Sequence, residues 1–199
     1  MKQVLIETQL FKPSKGLLSE GKMSERGNPL VEGILATCEV ENGNGRYYSK
    51  DLWEREIDKY MQLVEENRAT GELDHPESQV INLKNVSHNI KDINWDGKNI
   101  MGTIELLPTP SGNILKALID SGITVGVSSR GMGSLEQKGE LMEVQDDFEL
   151  LCWDFVSTPS NPGSFMTLKE GKENNINQYA NANSIVTEIL CANGNCPIF

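Results

Sequence analysis

The chain lacks what several common protein classes require. No apolar run approaches the roughly 20 residues a membrane-spanning helix needs, so a transmembrane protein is not expected. Positive charge is scarce: 18 Lys and Arg stand against 29 Asp and Glu in 199 residues, a net charge of −11. That balance argues against broad phosphate-backbone binding, and no nucleic-acid partner is expected. It suits a soluble protein or one that meets basic partners. The start, Met1 to Glu7, carries an acid where the apolar stretch of a secretory leader would continue, so export is not expected either. The four cysteines contain no Cys-x-x-Cys pair. Cys38 and Cys152 lie in apolar runs and read as buried free thiols. Cys191 and Cys196 flank Ala-Asn-Gly-Asn and are the one pair able to close a local loop, although free thiols are expected in a reducing compartment. Neither of the two histidines sits at ligand spacing from a cysteine pair, so no zinc site is expected, nor any other metal or cofactor.

What is present fits one domain with appended segments. Residues 1–29 are polar and read as an extended N-terminal arm. The main domain covers 30–172, and 173–199 read as a flexible linker and tail. In that tail, Asn174, Asn175, Asn177, Asn181 and Asn183 lead to a small apolar patch at Ile185-Val186 and Ile189-Leu190. Within the domain, Leu30–Val40 reads as a strand, followed by a turn at Asn42–Gly45. Leu52, Trp53, Ile57, Tyr60, Met61 and Val64 recur at helical spacing behind Ser49, a fitting cap. Val80–Ile93 and Asn99–Leu107 read as strands joined by an Asp96-Gly97 hairpin turn. A short helix opens at Ser111-Gly112 and stops at Gly122. Ile123–Ser129 and Phe148–Val156 are strand-like, with a turn at Lys138-Gly139. Many short strands and two helices predict an α+β fold with a substantial antiparallel sheet or barrel.

Three segments carry residues suited to chemistry. His75 lies in Gly-Glu-Leu-Asp-His-Pro, a loop of turn formers, and is either a reactive group or an exposed loop histidine. His88 lies inside an alternating strand and reads as a half-buried structural residue. The second segment, Gly126-Val-Ser-Ser-Arg-Gly-Met-Gly-Ser134, is either a glycine-rich turn or a site where backbone amides face an oxyanion. It is no phosphate-binding loop, because no Gly-Lys-Ser/Thr follows. It is no Gly-x-Ser-x-Gly elbow, because Arg130 stands at the second glycine. In the third segment, Asp154 lies in the apolar run Leu150–Val156. A carboxylate there must be paired, with a histidine, an arginine or a backbone turn. Together they supply a base, a hydroxyl and an acid, the parts of an activated serine nucleophile.

Gly71–Pro76, the Gly-Val-Ser-Ser-Arg-Gly-Met-Gly-Ser-Leu run from Gly126, and the Asp154 segment ending at Pro159 resemble the prohead core proteases of tailed bacteriophages. Leu5-Ile6-Glu7, Glu32-Gly33-Ile34 and Asn44-Gly45-Arg46-Tyr47-Tyr48 add to the resemblance, which spans about residues 4–170. That family is remotely similar to herpesvirus assemblin, which implies an antiparallel barrel-like core flanked by helices. The resemblance implies a serine endopeptidase acting in the host cytoplasm, inside the assembling prohead. Its substrates would be scaffold or core proteins, the major capsid protein and itself. Ser128 falls on the nucleophile, His75 on the base and Asp154 on the acid, with Glu149 as the alternative acid. Arg130, Gly131 and Gly133 would serve the oxyanion or substrate. The resembling proteases tend to cut after a glutamate two residues beyond an aliphatic one. Val186-Thr187-Glu188 and Leu18-Ser19-Glu20 fit this as self-cleavage sites, with Arg130 the expected basic partner of the glutamate. The oligomeric state is open, a homo-oligomer included. A different serine hydrolase and a non-catalytic core protein are the rival classes.

Overall fold

The computed structural model describes residues 2–8, 23–76, 78–139, 141–157 and 167–168. Glu20, Glu188, Cys191, Cys196, most of the loop after Val156 and the Asn-rich tail lie outside the described residues. The elements run β1 (Gln3–Thr8), β2 (Leu30–Thr37), β3 (Arg46–Tyr47), α1 (Lys50–Glu65), β4 (Thr70–Glu72), β5 (Val86–Asp96), β6 (Asn99–Leu106), α2 (Pro110–Asp120), β7 (Gly126–Gly133), β8 (Leu135–Lys138), β9 (Leu141–Val144), β10 (Glu149–Val156) and β11 (Thr167–Leu168). The α+β class therefore holds. Among the described residues the strands form three sheets, β1-β7-β10, β11-β2-β6-β5-β4 and β3-β9-β8, and no closed barrel. A single parallel bridge, Leu73 to Phe155, ties the end of β4 to β10. No helix among the described residues is long and apolar enough to cross a membrane.

Local chemistry explains most boundaries. Ser49 caps α1, its Oγ accepting the Leu52 amide at 3.2 Å. The helix buries Leu52, Trp53, Ile57, Tyr60 and Val64 along one stripe. α2 begins earlier than the Ser111-Gly112 signal suggests. Thr109 is the cap, accepting the Gly112 amide at 3.0 Å, and Pro110 takes the first turn, where its missing N–H costs nothing. Gly122 ends α2 at φ +75°. Its amide and that of Ile123 return to the carbonyls of Ile119 and Leu118, a left-handed cap that favours glycine.

Two expectations change. The strand expected from Val80 begins at Val86, because the preceding residues fold around a buried carboxylate. The Asn82 amide and the Asn85 side chain donate to Glu72, at 3.0 and 3.2 Å. The expected arm also contributes structure: Gln3–Thr8 pairs antiparallel with β7 along its whole length. Behind that sheet, Tyr48, Trp53, Tyr60, Phe148 and Trp153 form a buried aromatic cluster, with Trp53 stacked on Trp153 at 6.1 Å. This cluster holds α1 against β10 and fixes the sheet that carries the site.

Candidate active site

The glycine-rich segment is a strand, and this decides where its serines face. β7 lies between β1 and β10, with Ser128 opposite Asp154, Ser129 opposite Trp153 and Arg130 opposite Cys152. Side chains alternate faces along a strand. Ser128, Arg130, Cys152 and Asp154 therefore share one face. Ser129 shares the other with Trp153, the face packed on α1. Both serines are buried, and the Ser129 hydroxyl has no partner. A bulge between Leu150 and Cys152 shifts the β7–β10 register just ahead of this set.

His75 reaches the same face from the end of β4. After the Leu73 bridge, Asp74 adopts φ +65° and donates its amide to the Phe155 carbonyl at 2.8 Å. That left-handed residue turns the chain so that His75 meets Asp154, its Nδ1 2.7 Å from Asp154 Oδ2. The histidine side chain is 10% exposed, and its Nε2 is buried without a partner.

Asp154 is held from all sides. Its Oδ1 accepts the Glu72 amide at 2.9 Å and the Arg130 Nη2 at 3.3 Å. The Arg130 Nε lies 3.0 Å from Oδ2, as an ion pair without hydrogen-bond alignment. Burial pushes the Asp154 carboxyl up, but the His75 hydrogen bond, the Arg130 charge and the Glu72 amide outweigh it and hold it below the usual carboxylate range. Arg130 also donates to Glu72 at 3.0 Å, to the Ser78 carbonyl at 2.7 Å and to Cys152 Sγ at 3.2 Å. Burial and the Asp154 charge keep the Cys152 thiol protonated, and no disulfide engages it.

Ser128 does not bond His75 in this state. Its hydroxyl donates to the main-chain carbonyl of Glu7 in β1. The other expected residues fall elsewhere. Glu149 is exposed and pairs with Lys2 at 3.0 Å, far along β10 from His75's partner. His88 is fully rather than half buried, bonded to the Trp153 carbonyl at 3.0 Å and to Ser87, and burial drives its pKa down to about 4. Gly131 is paired on both sides and Gly133, the last residue of β7, with Gln3 of β1, and a Cβ on Gly131 would stand 2.4 Å from the Phe148 ring. Both glycines make room for Phe148. Arg130 is 1% exposed, with its guanidinium paired to Glu72 and Asp154. Glu72 was not singled out from the sequence; its one signal was its place three residues before His75.

Comparison with known proteins gives the chain's relatives. Residues 7–176 match the family described as prohead core protein serine protease. The chain is 34% identical over 145 residues to the prohead core protein protease of Enterobacteria phage T4, covering 70% of this chain and 68% of that protein. It also superposes on the solved structure of the bacteriophage T4 capsid assembly protease with a TM-score of 0.70 at 30% identity, covering 78% of this chain and 98% of that one.

Proposed function

This chain belongs to the phage prohead core protease family, and from that premise we propose that it is a serine endopeptidase in which Ser128 is the nucleophile, His75 the general base and Asp154 the orienting acid. The observation that carries the proposal is the 2.7 Å contact of His75 Nδ1 with a buried Asp154 that stands directly opposite Ser128.

An Nδ1–H donated to Asp154 leaves the lone pair on Nε2, the nitrogen that must take a proton. Ser128 turns its hydroxyl from the Glu7 carbonyl to Nε2, and Oγ attacks the scissile carbonyl as His75 accepts the proton. Asp154, kept ionised by Arg130, stabilises the imidazolium. The same imidazolium then protonates the leaving amine, and water, deprotonated by His75, attacks the acyl enzyme, freeing the carboxylate product as the proton returns to Ser128 Oγ. The substrates in this proposal are prohead scaffold or core proteins and the major capsid protein, cleaved inside the assembling prohead in the host cytoplasm. Self-processing after Glu188 or Glu20 belongs to the same proposal.

Mass spectrometry of scaffold protein co-expressed with the chain tests it. Cleavage products and a new C-terminus at Glu188 are expected, both absent with Ser128→Ala. Cleavage that persists with Ser128→Ala refutes the nucleophile. Intact scaffold beside the folded native chain refutes the activity.

A further inference from the structure

A residue whose carbonyl oxygen rests on the nucleophile's hydroxyl marks where the residue before a scissile bond sits. Glu7 is in that position, given Ser128 as nucleophile, the reading on which this inference rests. Its side chain, 1% exposed, runs away from Ser128 into a pocket formed by the turn before β3, Arg46 at the start of β3 and Tyr48 just after it. Arg46 Nη1 donates to Oε1 at 2.8 Å and the Tyr48 hydroxyl donates to the same oxygen at 2.6 Å. Asn44 Nδ2 donates to Oε2 at 3.0 Å, and Asn42 Nδ2 donates to it as well. Each carboxylate oxygen thus receives two donors, and one of the four carries a full positive charge.

The pocket is held by contacts that do not involve Glu7. The Asn42 Oδ1 accepts the amides of Asn44 and Arg46, at 2.9 and 3.0 Å, which turns the Asn42 NH2 toward the carboxylate. Tyr48 is clamped between Trp53 and Phe148, each 5.4 Å from its ring. Burial, and then the neighbouring Glu7 charge, push the Tyr48 phenol up, so it stays a donor. Arg46 and Asn44 also donate to the Ile6 carbonyl, at 3.2 and 3.0 Å, so they grip main chain and side chain together. Leu5, two residues back and so on the same face, is fully buried. β1 is the outer strand of its sheet, and an edge position can accept another extended chain through the same ladder.

We propose that Asn42, Asn44, Arg46 and Tyr48 are the specificity-determining residues, forming the pocket for a glutamate side chain just before the scissile bond, and that substrate enters as a strand on β7 in the place of Gln3–Thr8. Arg46, not Arg130, is then the basic partner of the cleaved glutamate. Aspartate, one methylene shorter, cannot reach all four donors, and lysine meets Arg46 with like charge.

The test uses the full chain and two fluorogenic peptides that differ only by Glu or Gln before the cleaved bond. Both compete with the same internal strand, so its effect cancels in the ratio of their kcat/KM values. Arg46→Met, which removes the main-chain contact for both peptides but the charge-assisted contact for the Glu peptide alone, is expected to lower the Glu-to-Gln ratio of kcat/KM by about 10- to 100-fold. Tyr48→Phe keeps the ring packing and is expected to lower the same ratio several fold. It decides the matter if Arg46→Met does not fold. A native enzyme without Glu preference, or a preference undiminished in either folded variant, overturns the pocket. Cleavage surviving in Ser128→Ala overturns the underlying nucleophile reading instead, so the two failures are distinct.

Discussion

Replacing Arg130 with Met tests the support beneath the site. The guanidinium is buried with Glu72 and Asp154, which it contacts at 3.0 to 3.3 Å. With His75 neutral, these three groups sum to one negative charge; without Arg130 they sum to two. Breaking a buried pair while leaving its partners charged costs about 3–5 kcal/mol. A domain of ordinary stability has about 5–15 kcal/mol in total, so the variant should fold but only just. Urea unfolding at pH 7, followed by the fluorescence of the buried Trp53 and Trp153, measures the loss. Arg130→Lys keeps the charge but not the planar fork, and about 2 kcal/mol is expected. The decisive control is Glu72→Gln combined with Arg130→Met. Removing one stranded carboxylate should relieve the other loss, so the double variant should be more stable than the sum of the singles by about 1–3 kcal/mol. A loss below about 1 kcal/mol in Arg130→Met, or an additive cycle, would refute the claim that Arg130 compensates these carboxylates.

Three further outcomes are expected. Ser128→Ala should abolish peptide cleavage, whereas Ser129→Ala, which removes an unpartnered hydroxyl on the opposite face, should keep activity and stability close to native; the reverse pattern would show that the serines were assigned to the wrong faces. His88 titrates near 4 when folded against an ordinary 6.5, so the unfolded chain binds its proton more readily. Stability should therefore fall as pH drops from about 6.5, by about 3 kcal/mol once pH is below about 4. Urea midpoints across that window should show a flatter slope for His88→Gln, and an unchanged slope would clear His88. Gly71→Ala should destabilise severely, since its Cβ would stand 2.0 Å from the Trp153 carbonyl and 2.5 Å from the His88 ring. A folded Gly71→Ala chain whose thermal midpoint matches native would refute the close packing of β4 on β10.

The sequence carried the helices and most strands because their signals are local. Ser49, Gly97 and Gly122 each act on the few residues beside them. His75, Ser128 and Asp154 stood out because a carboxylate in an apolar run needs a partner and only two histidines exist. Contacts set by distant pairing were not legible. Whether Gly126–Gly133 is a turn or a strand depends on β1 and β10 flanking it, more than 100 residues away in one case and about 20 in the other. Glu72 and Arg46 look like surface charges until β7 buries the first partner and β1 delivers Glu7 to the second. Arg130 shows the same limit: proximity along the chain to Ser128 says nothing about which buried groups take up its charge.

The bulge ahead of Cys152 sets the phase of β10. Upstream of it Leu150 opposes Gly131, and downstream Cys152 opposes Arg130, so Leu151 is the extra residue. Drawing that residue into the ladder opposite Arg130 would bring Trp153 opposite Ser128 and carry Asp154 to the aromatic side. No side chain of the site would have been altered, yet acid and indole would have traded places across the sheet. What keeps the acid opposite the hydroxyl is therefore that Leu151 stands outside the ladder.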